Sequence, residues 1–132
     1  MQYNKILKAY APMQHMMKIK LPIRENKKSR QIYKMALEME SIVEYIKQEE
    51  MKIIQKYHGE IQPSGTIFFG DDDAGIRRAN LCANEINEFE LSDTEWGYKI
   101  ITLSEESLVD DGGFTLSPEE IFYLEGFVEF ED

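Results

Sequence analysis

The chain has 132 residues, and its 15 Lys and Arg against 25 Asp and Glu give a formal net charge of −10 at pH 7. This length fits one domain, spanning residues 1–132, that buries a core of its own. The one cysteine, Cys82, excludes an internal disulfide and a zinc cluster built on cysteines of this chain, and no apolar run reaches the ~20 residues of a membrane span. We therefore expect a soluble, intracellular protein with no membrane partner.

The charge is distributed unevenly along the chain. Twelve of the 15 basic residues precede Gly59, whereas most of the acidic residues follow it. An acidic second half repels phosphate groups, so we expect no direct binding to nucleic acid, and it attracts basic protein surfaces. The alternative interpretation is that these carboxylates only keep the surface solvated.

The first predicted element is a short helix, treated as an N-terminal extension over residues 1–14. Its apolar residues fall at helical spacing, and Pro12 is expected to end it. In the next segment Met17, Ile19 and Leu21 alternate with lysines, a period of two that predicts an extended strand. The basic stretch RENKKSR, residues 24–30, then leads into the longest element, for which Ser29 or Asn26 is the predicted cap.

Residues 29–58 contain neither Pro nor Gly and predict one long helix that ends before Gly59. Thirty residues give a length of about 45 Å, so this helix should pack against another long partner. Its apolar seam follows steps of three and four, with Glu50 as the single interruption. Whether the seam pairs within or between chains stays open. For association between chains, the predicted contact residues are Ile32, Met39, Val43, Ile46 and Ile53.

After Gly59 the pattern changes to short elements. A strand is predicted over residues 66–69, a second helix over 74–89, a pair of strands within 89–103, a third helix over 116–124 and a last strand over 127–130. Ser117 and Pro118 mark the start of the third helix, and Gly126 its end. The predicted fold is α+β: the long helix at about 29–58 packs on a small, mainly antiparallel sheet with two shorter helices.

A search for catalytic chemistry finds no convincing motif. His15 and His58 lie outside metalloprotease spacing, and no phosphate-binding loop is present. The triplet Asp71, Asp72 and Asp73 suits the start of a helix, and its consecutive carboxylates do not match the alternating ligands of a calcium loop. A carboxylate-based magnesium nuclease is a weak third interpretation. We predict that the protein is not an enzyme and holds no cofactor or metal.

The order of segments resembles a group of small uncharacterised proteins encoded by phages and prophages of Gram-positive bacteria. The resemblance covers roughly residues 17–130. It is carried by KIKLPIRENKKSRQIYKMALEMESIVEYIKQEEMKIIQKYHGE, by a glycine-bearing strand, by a short helix leading into ANEINEFEL, and by LSPEEIFYLEGFVEF. It implies a non-enzymatic accessory role during infection, in the host cytoplasm, and brings no catalytic residues.

Two functional hypotheses follow. In the first, the protein is an acidic inhibitor that binds a basic host defence enzyme which handles nucleic acid. The predicted binding surface consists of Asp71, Asp72, Asp73, Glu105, Glu106, Asp110 and Asp111. In the second, the protein is a virion or tail assembly factor that forms a homo-oligomer through the seam of its long helix. The partner is accordingly a host or phage protein, or a second copy.

Overall fold

A computed structural model describes residues 1–104 and 115–131. The predicted α+β class is confirmed. In chain order the elements are α1 (Tyr3–Met16), a 3₁₀ turn (Ile23–Glu25), α2 (Asn26–Lys56), β1 (Glu60–Ile61), β2 (Ile67–Phe68), α3 (Asp73–Leu91), β3 (Ile101–Ser104), α4 (Pro118–Leu124) and β4 (Val128–Glu131).

The long helix is present as α2, whose 31 residues span about 46 Å. Two shorter helices cover it end to end. The ring of Tyr3, at the start of α1, lies 6.0 Å from that of Tyr45, and Met16 at the end of α1 lines a groove with Ile32. These contacts set α1 antiparallel to the N-terminal half of α2.

The second shorter helix, α3, covers the C-terminal half of α2. Its Glu85 accepts hydrogen bonds from Lys56 Nζ at 2.7 Å and from the Tyr57 hydroxyl at 3.1 Å. Near its end, Phe89 stacks on Tyr3 with 4.8 Å between the ring centroids. The end of α3 therefore meets the start of α1, and the two helices together form the long partner that α2 requires.

This arrangement corrects the prediction of self-association through the seam. Ile32, Met39, Val43 and Ile46 are buried in the core of the chain itself, and Ile53 is half-buried. Burying each such side chain stabilises the fold by about 1.5–3 kcal/mol. Because the seam is already packed against this chain's own helices, it offers no free apolar stripe to a second copy.

The N-terminal helix belongs to the core, and it runs through Pro12 to Met16. The predicted end of this helix at Pro12 is therefore wrong, and residues 17–21, where the alternation predicts a strand, form a turn and irregular chain instead. Ile6, Ala9, Met13 and Met16 continue one buried face in steps of three and four, and all four are fully buried. Proline inside a helix removes one hydrogen bond. The burial of Met13 and Met16 offsets that cost.

The strands form two separate pairs. β1 and β2 make an antiparallel hairpin in which Ile61 faces Ile67, whereas β3 and β4 are parallel, with Ile101 beside Val128. The pair of strands predicted within residues 89–103 is wrong in its first part, because α3 continues to Leu91. Phe89 stays helical there, since that places its ring in the contact with Tyr3.

The caps predicted at the starts of α3 and α4 are confirmed, whereas the cap predicted at Ser29 or Asn26 for the long helix is wrong, because α2 begins after Glu25 without a side-chain cap. Asp72 accepts a hydrogen bond from the backbone N–H of Gly75 at 2.8 Å, which starts α3. Ser117 and Glu120 form a reciprocal capping box at the start of α4, with distances of 3.1 and 3.0 Å. Gly126 follows α4 at a positive φ of 87°, a backbone conformation that favours glycine.

Candidate binding surfaces

The predicted acidic surface is only partly within the described residues. Asp71, Asp72 and Asp73 lie side by side at the start of α3, and all three are exposed. Asp72 serves as the cap, whereas Asp71 and Asp73 have no ion-pair partner among residues 1–104 and 115–131. The other predicted members, Glu105, Glu106, Asp110 and Asp111, lie outside the described residues.

The acidic triplet lies at the C-terminal end of α2. The hairpin packs against Gly59 so closely that a Cβ atom there would lie 2.8 Å from Ile67 Cγ2 and 2.9 Å from Phe69 Cε1. The Phe69 carbonyl accepts a hydrogen bond from Arg78, which ties the hairpin to α3. Asp71 is two residues beyond Phe69, so its backbone directly follows this hairpin.

The hairpin also exposes apolar side chains. Ile61 is 51% exposed and Phe68 is 44% exposed, and Ile67 is 36% exposed on the strand opposite Ile61. We call this surface the hairpin end and define it by Glu60, Ile61, Ile67, Phe68, Asp71 and Asp73. In the register of the hairpin Ile61 and Ile67 share one face, and Glu60 and Phe68 share the other, so each face combines exposed apolar surface with nearby charge. Exposed apolar groups with charged groups around them are typical of protein-binding surfaces.

A second surface lies at the opposite end of α2. A groove of about 130 Å³ opens between the end of α1 and the first turns of α2. Polar and apolar atoms contribute equally to its exposed lining, which consists of Met16, Met17, Ile19, Ser29, Ile32 and Tyr33. Exposed cations lie within five residues of these lining residues in the chain, at Lys18, Lys20, Arg24, Lys27, Arg30 and Lys34. We call the groove and these cations the basic groove.

The positive charge at the basic groove is largely unpaired. Residues 1–37 contain nine Lys and Arg and a single acidic residue, Glu25, which pairs with Lys28 at 3.7 Å. The six cations of the groove have no ion-pair partner among the described residues. By contrast, the later lysines of α2 are paired: Lys47 with Glu44, Lys52 with Glu49 and Lys56 with Glu85.

These cations are not explained by the stability of α2. A helix N-terminus carries a partial positive charge, which favours carboxylates and disfavours cations. The first turn of α2 nevertheless contains Lys27 and Lys28 and no acidic residue. The sequence shows the basic stretch over residues 24–30, but it does not show that the end of α1 folds beside it to make a groove.

A carboxyl pair joins α2 to α3. Glu50, the residue that interrupts the seam of α2, shares a hydrogen bond with Glu90, and its Oε1 atom is buried without a partner among the described residues. Burial, followed by the hydrogen bond and the negative charge of Glu90, raises the pKa of Glu50 to about 7. One proton can therefore be shared by this pair near neutral pH.

Glu120 and Cys82 also have shifted pKa values. His15 on α1 lies 2.7 Å from Glu120 on α4, and the backbone N–H of Ser117, followed by His15, lowers the pKa of Glu120. Burial raises the pKa of the Cys82 thiol, which disfavours the reactive thiolate. No group of three or more potential metal ligands occurs among the residues that the structure describes.

No protein-family model, curated protein or solved structure matches this chain. Within the described part of the chain, no helix is both long and apolar enough to cross a membrane.

Proposed function

We propose that this protein acts by binding another protein through its hairpin end. The proposed target is a basic bacterial protein that handles nucleic acid, such as a defence enzyme, and the protein inhibits it by covering its phosphate-binding surface. The proposal is carried by the exposed carboxylates of Asp71 and Asp73, which follow the exposed Phe68 within five residues and have no ion-pair partner in the described part of the chain. Carboxylates compete with phosphates for the same cations, and an apolar anchor adds affinity that charge alone does not give.

The position of Asp71 and Asp73 favours a role in binding over a role in folding. Of the three aspartates, Asp72 alone makes the capping hydrogen bond that starts α3. Asp71 and Asp73 are therefore available to a partner, and neutralising them leaves the cap in place. A mutation of these two residues separates binding from folding.

The test uses purified protein immobilised on resin and a lysate of a Gram-positive bacterium, washed at low and then at high salt. We expect capture of a basic nucleic-acid enzyme that high salt releases. The captured enzyme is then purified, and its activity on DNA or RNA is measured with the protein added. Wild-type protein should inhibit it, and Asp71→Asn/Asp73→Asn should inhibit at least tenfold less.

The matched control is Glu38→Gln/Glu40→Gln, which removes two exposed charges from α2 rather than from the hairpin end. This variant should inhibit as well as wild type does. If the Asp71→Asn/Asp73→Asn variant still inhibits at wild-type concentrations while folded, the hairpin end is not the inhibitory surface and the proposal is refuted.

A further inference from the structure

We infer that copies of this chain associate head to tail, with the hairpin end of one copy bound in the basic groove of the next. This inference goes beyond the proposed function, because it assigns a partner to a second surface. Because the seam of α2 is buried, the contact between copies is formed by two other, exposed surfaces.

The basic groove sets the chemistry of its occupant. Five of its six lining residues have apolar or aromatic side chains, although polar atoms contribute half of the exposed lining, and the six exposed cations favour negative charge on the partner. An apolar cavity of about 150 Å³ is large enough to bind benzene. The groove, at about 130 Å³, is slightly smaller and open to solvent, so it has room for part of one aromatic ring with polar groups beside it.

The hairpin end has these features. The ring of Phe68 is 44% exposed at the end of the molecule, and Glu60 stands opposite it in the β1–β2 register. The exposed carboxylates of Asp71 and Asp73 follow within a few residues. The chain thus exposes two surfaces of opposite charge, the acidic hairpin end and the basic groove, and their charges are complementary.

A single copy cannot join the two surfaces. The groove lies at the N-terminal end of α2, and the hairpin packs on Gly59 just beyond its C-terminal end. The 31 residues of α2 separate these ends by about 46 Å. Contact between two different surfaces of identical chains is heterologous, so repeated binding gives an open chain or a closed ring.

The experiment measures mass by sedimentation velocity from about 5 to 500 μM protein at low salt, a range that covers weak association. The groove variant is Lys27→Glu/Arg30→Glu, and the hairpin variant is Phe68→Ser. We expect wild type to exceed twice the 15.5 kDa chain mass as concentration rises, and each variant alone to stay monomeric. An equimolar mixture of the two variants should form a dimer and nothing larger, because each retains one intact surface.

The control variant, Lys8→Glu/Lys47→Glu, makes the same change in net charge away from the groove and should associate as wild type does. A wild-type protein that stays monomeric at every concentration overturns the inference, as does a mixture of the two variants that fails to dimerise. Binding of a single-stranded oligonucleotide in the groove without self-association also overturns it. The groove variant keeps its hairpin end, so the inhibition assay above still tests the proposed function if self-association fails.

Discussion

Replacing Glu50 by Gln should increase stability at alkaline pH and leave it nearly unchanged at acidic pH. Glu50 occupies a half-buried position in the seam of α2, where its carboxyl group faces that of Glu90 on α3. A glutamine amide has nearly the same shape, carries no charge and can donate a hydrogen bond to the Glu90 carboxylate. The substitution therefore removes the cost of ionising Glu50 while preserving the contact between the helices.

The sign and size of the effect follow from the raised pKa. Burial and Glu90 raise the pKa of Glu50 from 4.5 to about 7, so between these values the folded chain holds a proton that the unfolded chain releases. The free energy of unfolding of wild type therefore falls as pH increases through this window. The full shift corresponds to roughly 3 kcal/mol, and screening by water at a partly exposed site reduces this to about 1–2 kcal/mol.

The assay is urea unfolding followed by circular dichroism at pH 5, 6, 7 and 8. We expect Glu50→Gln to exceed wild type by about 1–2 kcal/mol at pH 8, with the difference shrinking towards pH 5. Glu40→Gln, which removes an exposed carboxylate from the same helix, should leave the pH dependence unchanged. An equal difference between Glu50→Gln and wild type at pH 5 and pH 8 would show that Glu50 is already ionised at pH 5, and the reasoning would be wrong.

Four further variants test the fold and the basic groove by the same unfolding measurement. Met39→Ala should lower the free energy of unfolding by about 2–5 kcal/mol, because Met39 is fully buried between the helices, and a loss below 1 kcal/mol would contradict that packing. Asp72→Ala should cost about 1 kcal/mol and Asp72→Asn much less, since asparagine also caps; equal losses would argue against the cap. Lys27→Glu/Arg30→Glu should stabilise the monomer by about 0.5–2 kcal/mol through the helix dipole, and a destabilised variant would mean that these cations support the fold.

The sequence correctly predicts those helices and caps that depend on interactions between residues close together in the chain. The long helix, predicted at residues 29–58, occupies Asn26–Lys56, and the caps at Asp72 and Ser117 form as expected. These features depend on residues within four positions of one another. Two local signals mislead. Pro12 predicts a helix end, but α1 continues to Met16, where long-range contacts bury Met13 and Met16. The stretch from Phe89 predicts a strand, but α3 continues to Leu91 and Phe89 packs on Tyr3.

The candidate surfaces depend on contacts that the sequence does not display. The basic stretch at residues 24–30 is visible, but the groove exists only because α1 runs antiparallel to α2 and brings Met16 beside Ile32. In the same way, the apolar run at residues 66–69 predicts a strand, but it does not show that this strand forms a hairpin with β1 in which Ile61 and Phe68 are exposed. Periodicity indicates which side chains are apolar, and only the tertiary arrangement decides which of them stay uncovered.

Two sets of charged residues destabilise the fold of this chain: Glu50, and the cations at the start of α2. The first affects the pH dependence of stability, and the second bears on binding. Glu50 disrupts an apolar seam, yet it is enclosed by the contact of α2 with α3, so its effect is confined to the pH dependence of stability. The cations at the start of α2 oppose the helix dipole and remain exposed beside the groove. An unfavourable charge that stays accessible can be compensated when a partner of opposite charge binds, whereas an enclosed one cannot. The basic groove is therefore the feature of this fold whose residues are best explained by binding.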